Sequence, residues 1–256
     1  MYHLKHVREH HHVMTSTQDR AQELISTLEV GKCYVVTADE QTKGRGTHGR
    51  SWFSPAYASL HATFVFPFPN HQENLLNHLP QVVAYAVLKT LKTYGLEAKI
   101  KWINDVLLDE KKICGILCES GRLAHLPGYN GVLVGVGINV NLSQDACDAL
   151  DQPATSLMLA LNKKMDIDEV LKTLTIYLFE HINVLLEEGF APFFKIISKK
   201  MAFIGEKVKV QLDDDAQSMK EGRLVGIDEQ GRLLLEWENH IEKILTGRII
   251  REKIDA

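Results

Sequence analysis

"TKGRGTHGRSWFSP", residues 42–55, decides the architecture. It sets Gly44, Gly46 and Gly49 beside Arg45 and Arg50, and Trp52 follows at once. Gly44-x-Gly46-x-x-Gly49 has the spacing of a dinucleotide-binding turn, which needs a strand running in and a helix leaving. The strand is there, as the apolar run "CYVVTA" at 33–38. The helix is not. The exit, "RSWFSPAYASLHATFVF", holds a tryptophan and a proline and then turns β-rich, so the doubly wound fold is rejected. A Walker loop is absent too, because no Gly-Lys-Ser/Thr occurs. What remains is a cationic glycine loop between strands. Glycine lets a ligand approach the backbone, and bared N–H groups can hold an anion. Arginine adds forked donors for carboxylate or phosphate. Such a loop orders over its ligand. Trp52 offers a flat face for a purine, a contact of about 1–3 kcal/mol. Read alone, the loop fits a surface turn with incidental charge equally well.

Upstream, "HHVMTST" is extended and leads into a helix capped by Ser16 or Thr17, with Ala21, Leu24, Ile25 and Leu28 on one face. Gly31 ends it. Downstream, residues 73–94 read as a long helix with Pro80 marking a later start, and Gly95 closes it. Strand-like runs follow in "AKIKWIND", "KKICGILCES" and "GVLVGVGINVNL". A second long helical pattern ends at Gly189. After residue 203 the texture becomes short strands and turns with no helix. The expected organisation is a domain over 1–202 and a small β-barrel domain over 203–256.

The chain has 256 residues, 45% of them hydrophobic and 24% charged, enough for a sizeable core without staples. Its net charge of −4 argues against a general nucleic-acid binder. Cys33, Cys114, Cys118 and Cys147 form no C-x-x-C and no zinc spacing. With no signal-peptide pattern and no apolar run of membrane length, a cytoplasmic protein is expected. His3, His6, His10, His11 and His12 crowd the start. They read as an exposed, variable terminus rather than a metal site, because no carboxylate or cysteine shares a fixed spacing with them.

Two further clusters carry polar chemistry. Lys101, Trp102, Asn104 and Asp105 end a strand, where ligand-facing groups collect. Lys101 suits a phosphate or a developing acyl oxygen. Asn104 and Asp105 suit a ribose or a metal, although Asp105 alone equally caps a turn. Asn139 ends the buried run with Gly135 and Gly137. It either reads an adenine edge or satisfies loop backbone.

In this order and spacing, these segments resemble the biotin protein ligase family. The family pattern G-R-G-R-x-G-R-x-W is met by Gly44 to Trp52, K-W-P-N-D by Lys101 to Asp105, and G-x-G-x-N by Gly135 to Asn139. "KKICGILCE" is similar to K-L-x-G-I-L-x-E, and "EEGFAPFF" and the β-rich tail also fit. The resemblance implies an α+β fold: a mixed β-sheet with helices packed on one face, similar to class II synthetases, followed by a small SH3-like β-barrel. It implies that biotin and ATP with Mg²⁺ give biotinyl-5′-AMP, and that biotin then passes to a lysine of a biotin carboxyl carrier protein.

Carried over, Ser16, Thr17 and Gln41 contact the biotin rings, and Gly115 lets backbone approach the ligand. Arg45 meets the biotin carboxylate and phosphate, and Arg50 assists the ATP phosphates. Trp52 stacks on adenine and Asn139 reads it. Lys101 neutralises the phosphate and the attacked oxygen. Asn104 and Asp105 position ribose, phosphate or Mg²⁺, with Asp105 helping to deprotonate the carrier lysine. No metal ligand is assigned.

The sequence departs from the pattern at Thr47 and His48, where the family has arginine at the first, and at Ile103, where it has proline. The loss of a guanidinium implies a looser hold on the adenylate. Too few residues precede the first motif for a helix-turn-helix, so no DNA binding is expected. Ligases of this type often form a homodimer through edge strands. A lipoate-type ligase and a non-catalytic binder of biotin or carrier remain the alternatives, the second kept open by Thr47.

Overall fold

The computed structural model describes residues 5–47, 49–212, 219–238 and 240–250. His3 and His48 lie outside these described residues. Twelve strands and six α-helices are named here in chain order. Strands β1 (Lys5–Met14), β2 (Lys32–Gln41), β3 (Ser59–Pro69), β4 (Lys99–Lys101), β5 (Asp105–Leu108), β6 (Lys111–Arg122) and β7 (Tyr129–Asn139) form one sheet, ordered β1-β2-β3-β7-β6-β5-β4. The pair β1–β2 is parallel and the rest are antiparallel, so the sheet is mixed. The helices are α1 (Thr17–Leu24), α2 (Leu79–Thr93), the short α3 (Gln144–Asp148) and α4 (Leu157–Leu161), then α5 (Ile167–Glu188) and α6 (Ala191–Lys200).

Local chemistry accounts for the ends of these helices. The Ser16 hydroxyl accepts from the Gln18 N–H and caps α1. A 3-10 segment over Asn70–His78 precedes α2, and Pro80 sits in its first turn, where a missing N–H costs nothing. Asp166 caps α5 and Gly189 stops it. Val170, Leu171, Leu174, Leu178, Ile182 and Leu185 form the buried stripe of α5.

Strand alternation divides the core. Val35, Phe64, Phe66, Val134 and Val136 pack with α2 and α5 on one face. Val36, Val65 and Leu133 point the other way and pack with Ala21 of α1. The long helices therefore share one face, but α1 lies on the opposite one. That differs from the expectation of helices on a single face. The reason is legible in β3, whose residues are buried throughout: a strand covered on both faces needs cover from both sides.

The histidine-rich start is not a loose terminus. Residues 5–14 form the edge strand β1, held in parallel register by β2, with His10 opposite Thr37 and Met14 opposite Gln41.

Beyond residue 203, β8 (Lys207–Gln211), β9 (Met219–Ile227), β10 (Leu233–Trp237), β11 (His240–Ile244) and β12 (Arg248–Ile250) form a second, antiparallel sheet ordered β11-β10-β9-β8-β12. Among the described residues β11 and β12 are not paired with each other, so strand pairing does not close this sheet into the expected barrel. Its β9–β10 turn docks on the first sheet. Trp102 Nε1 and Gln81 Nε2 both donate to the Gly231 carbonyl, at 3.0 and 2.9 Å. Gly231 has φ +71°, and a Cβ there would come within 2.7 Å of Gln81 Nε2. No helix among the described residues is long and apolar enough to cross a membrane.

One buried histidine gives the fold a pH dependence. His181 of α5 stacks on Tyr85 at 4.8 Å and meets Phe193 edge-on. Burial pushes its pKa down to about 4, and Lys89 adds to this. The unfolded chain then binds a proton between pH 6.5 and 4 that the folded chain refuses, so stability falls as pH falls through that window. The effect is about 2–3 kcal/mol. His181→Phe keeps the ring and removes the titration. Thermal unfolding of this variant should lose less stability between pH 6.5 and 4.5 than the parent, and parallel curves would refute the assignment.

Candidate active site

Sheet register brings the separate motifs onto one line. Lys101 opposes Asp105, Asp105 opposes Gly115, Gly115 opposes Gly137, and Gly137 opposes His61. Directly opposed residues share a face. Leu133, which packs on α1, continues through Gly135 and Gly137 on that face. The pocket therefore opens on the α1 side. Its lining comes from the start of α1, the 45–52 loop, and the strip of β3, β5, β6 and β7 around the glycines.

The glycine–arginine loop is a closed hairpin. Trp52 N–H donates to Gly44 O at 2.8 Å, Gly46 N–H to Arg50 O at 2.7 Å, and Arg45 bridges Ser51. This fold-back delivers the Trp52 indole onto the glycine floor. A Cβ on Gly115 would lie 2.8 Å from Trp52 Cζ3, and one on Gly137 would lie 2.7 Å from Trp52 Cε2. The group that comes close to Gly115 is thus the indole of the protein itself, where the sequence suggested a ligand. Trp52 Nε1 is buried and has no hydrogen-bond partner among the described residues.

Charges of both signs converge beside the indole. Lys112 Nζ pairs with Asp105 Oδ1 at 2.7 Å and lies 5.5 Å from the Trp52 ring centroid. Both side chains are largely buried. Arg45 donates to Glu119 Oε1 at 2.6 Å and to Asp19 Oδ1 at 3.1 Å. Partial burial works against the Arg45 charge, but these carboxylates outweigh it and hold its pKa above the usual value. Thr47 lacks a guanidinium but anchors one: Arg50 donates to its carbonyl at 3.2 Å and its hydroxyl at 2.9 Å.

At the other end the pocket is neutral and polar. Thr17 gives its N–H and hydroxyl to Gln41 Oε1, at 2.7 and 3.1 Å. Thr63 donates to Thr17 Oγ1 at 2.9 Å and sits 3.2 Å from Gln18 Oε1. Gln18 passes a bond on to Glu119 at 2.8 Å. His61 lies on the floor with Nδ1 3.2 Å from the Ala38 carbonyl, and its Nε2 has no partner among the described residues. Burial lowers its pKa, so the neutral ring is favoured.

Most of the residues expected from sequence therefore meet: Ser16, Thr17, Gln41, Arg45, Arg50, Trp52, Asn104, Asp105 and Gly115 all line the pocket. Two do not. Lys101 shares the face but lies one strand behind Asp105, 3.9 Å from its carboxylate, outside the lining. Burial lowers its pKa, and Lys112, Arg248 and Arg50 add to that against Asp105. Asn139 is a strut under the floor. Its Nδ2 donates to the Thr155 carbonyl at 3.0 Å and toward that of Lys112 at 3.4 Å, and Ser59 reaches its Oδ1. These contacts satisfy loop backbone. Asn104 lines the pocket while its Nδ2 ties the turn to Ile116 O at 2.8 Å.

Reasoning from sequence missed Lys112, Glu119, Gln18, Thr63 and His61. A signal for Lys112 was available. It stands three residues before Gly115 in "KKICGILCE".

A mixed sheet with a cationic hairpin folded over a glycine floor, and a second small sheet docked beside it, defines a ligase-type α+β protein. The chain belongs to the Biotin/lipoate A/B protein ligase family, whose model matches residues 11–139; the Biotin protein ligase C terminal domain matches 203–251. The bifunctional ligase/repressor BirA of Bacillus subtilis is 31% identical over 243 residues, covering 94% of this chain and 72% of that protein. The biotin–acetyl-CoA-carboxylase ligase of Paracoccus denitrificans is 34% identical, covering 86% and 90%. The biotin protein ligase of Aquifex aeolicus, solved in complex with biotin and ATP, superposes with a TM-score of 0.78 at 31% identity over 95% of this chain and 97% of that one.

Proposed function

We propose that this protein is an ATP-dependent biotin ligase that makes biotinyl-5′-AMP and transfers biotin to a lysine of a biotin carboxyl carrier protein. The observation that carries this reading is one pocket lined by two unlike sets of groups. Neutral hydrogen-bonding groups come from Ser16, Thr17 and Gln41, and cations from Arg45, Arg50 and Lys112, with the Trp52 indole beside them. A fused urea ring suits the first set, and a carboxylate meeting a phosphate suits the second.

In the first step a biotin carboxylate oxygen bonds to the α-phosphorus and the bond to pyrophosphate breaks, with the electron pair leaving on pyrophosphate. Two anions must approach, so the protein's task is charge neutralisation and positioning. Lys112 and Arg45 supply that charge, and Arg50 serves the phosphates. Arg45 must exchange its Glu119 and Asp19 contacts for the ligand. Mg²⁺ would come with the nucleotide and neutralise phosphate charge, and Asn104 and Asp105 would supply oxygen donors to it. In the second step a neutral carrier lysine attacks the acyl carbon and AMP departs. Asp105 is the buried carboxylate available for the amine proton. The Trp52 indole, held over the glycine floor, is the face on which adenine stacks.

Biotin-dependent ATP–pyrophosphate exchange, run with lipoate as the competing acid, tests the reading. Exchange with biotin and not lipoate is the expected result. Exchange with lipoate alone would make the protein a lipoate-type ligase, and none with either would make it a binder.

A further inference from the structure

The parallel pairing of β1 with β2 builds a cluster outside this pocket. His10 and His12 stand two apart on β1 and share one face, as do Thr37 and Asp39 on β2. His10 lies opposite Thr37. The ligand atoms of His10, His12 and Asp39 all fall within 4.8 Å of one another, the single such group of three or more among the described residues. We propose that these three side chains form a divalent transition-metal site, with Zn²⁺ the ion best suited to two imidazoles and a carboxylate.

The geometry supports this beyond mere proximity. The Thr37 hydroxyl accepts from Arg8 Nε at 3.1 Å and sits 3.5 Å from the Glu9 carbonyl. It lies 3.0 Å from His10 Nδ1. His10 Nε2 faces Asp39 Oδ2 at 3.4 Å. With a metal on Nε2 the ring proton sits on Nδ1, where the Thr37 hydroxyl is placed to accept it. Metal-binding histidines carry this same second hydrogen bond, which fixes the ring tautomer. Tetrahedral zinc with bonds of about 2.0–2.1 Å sets its ligand atoms about 3.3 Å apart. The His10–Asp39 spacing already matches, and His12 Nδ1, at 2.8 Å from Asp39 Oδ2, needs only a small withdrawal. The His12 side chain is 84% exposed, so it is free to adjust and leaves the fourth position open to solvent. The nearest cation, Arg8, lies on the Nδ1 side of His10, 3.5 Å away, and is paired with Asp168 at 2.8 Å. Asp39 lies 27 residues or more from these histidines in sequence, so no fixed spacing reveals the site.

Isothermal titration of the purified full chain with ZnCl₂ tests the proposal. One ion per chain is expected, lost in His12→Ala and in Asp39→Asn. Thr37→Val should weaken binding about 10–100-fold, as removal of a supporting hydrogen bond does at other metal sites. Thermal unfolding without metal checks that each variant folds. Co²⁺ should give the visible absorption of a four-coordinate centre in the parent and not in His12→Ala. Zinc binding unchanged by His12→Ala and Asp39→Asn would assign the metal to other histidines and overturn the proposal. So would the absence of binding to the folded parent.

Discussion

Lys112→Gln lowers the kcat/KM of biotin-dependent exchange by about 10²–10³-fold, the loss typical of one preorganised charge at a developing anion. The argument rests on position. Lys112 lines the pocket beside the indole, whereas Lys101 sits behind Asp105. Lys101→Gln should therefore cost clearly less than Lys112→Gln. Lys112 also completes a largely buried ion pair with Asp105. Its removal leaves Asp105 with Lys101 alone at 3.9 Å, and breaking such a pair costs on the order of 3–5 kcal/mol. Thermal unfolding must accompany the kinetics to separate lost charge from lost fold. Steady-state exchange with both variants decides the matter. A Lys101→Gln enzyme at least as impaired as Lys112→Gln would return the catalytic role to Lys101.

The choice between these two lysines shows what the sequence could and could not reveal. Local signals read well. Ser16 caps α1, Pro80 marks where α2 begins, and Gly189 closes α5. Each is set by groups a few residues apart. The family resemblance also named nine residues that line the pocket, carried over from the matching motifs. What stayed hidden depends on strand register. Lys112 went unread in sequence, and only the pairing of β5 with both β4 and β6 puts Lys101 behind Asp105 and Lys112 over the floor. The bond from Asn139 to the Thr155 carbonyl likewise appears only in the fold. The histidines of β1 look like a loose tail until β2 lays Asp39 beside them. Register is a long-range property, and no local window of sequence carries it.

Gly115→Ala is expected to cost about 10²-fold in exchange, the loss associated with a displacement of about 1 Å at a reacting centre. A methyl there would meet Trp52 Cζ3 at 2.8 Å and also Lys112 Cε and Nζ at 3.2 and 3.3 Å. The indole and the Lys112 ammonium are thus both pushed away. For Gly137→Ala the nearest atoms all belong to the indole, with Trp52 Cε2 and Cζ2 at 2.7 and 2.8 Å. The pair separates the two roles. If the indole serves adenine and Lys112 serves the transferred charge, Gly137→Ala should raise the KM for ATP and spare kcat. Gly115→Ala should lower kcat as well, because it removes stabilisation made in the transition state. The pattern is checked by varying ATP at saturating biotin in both variants. Equal effects on kcat would mean that the floor acts through the indole only, and that Lys112 tolerates the methyl by moving its flexible end. Parent-like kinetics in both would mean that the indole leaves the glycine floor before the reacting complex forms, so that the floor's smoothness matters to the empty pocket and not to the loaded one.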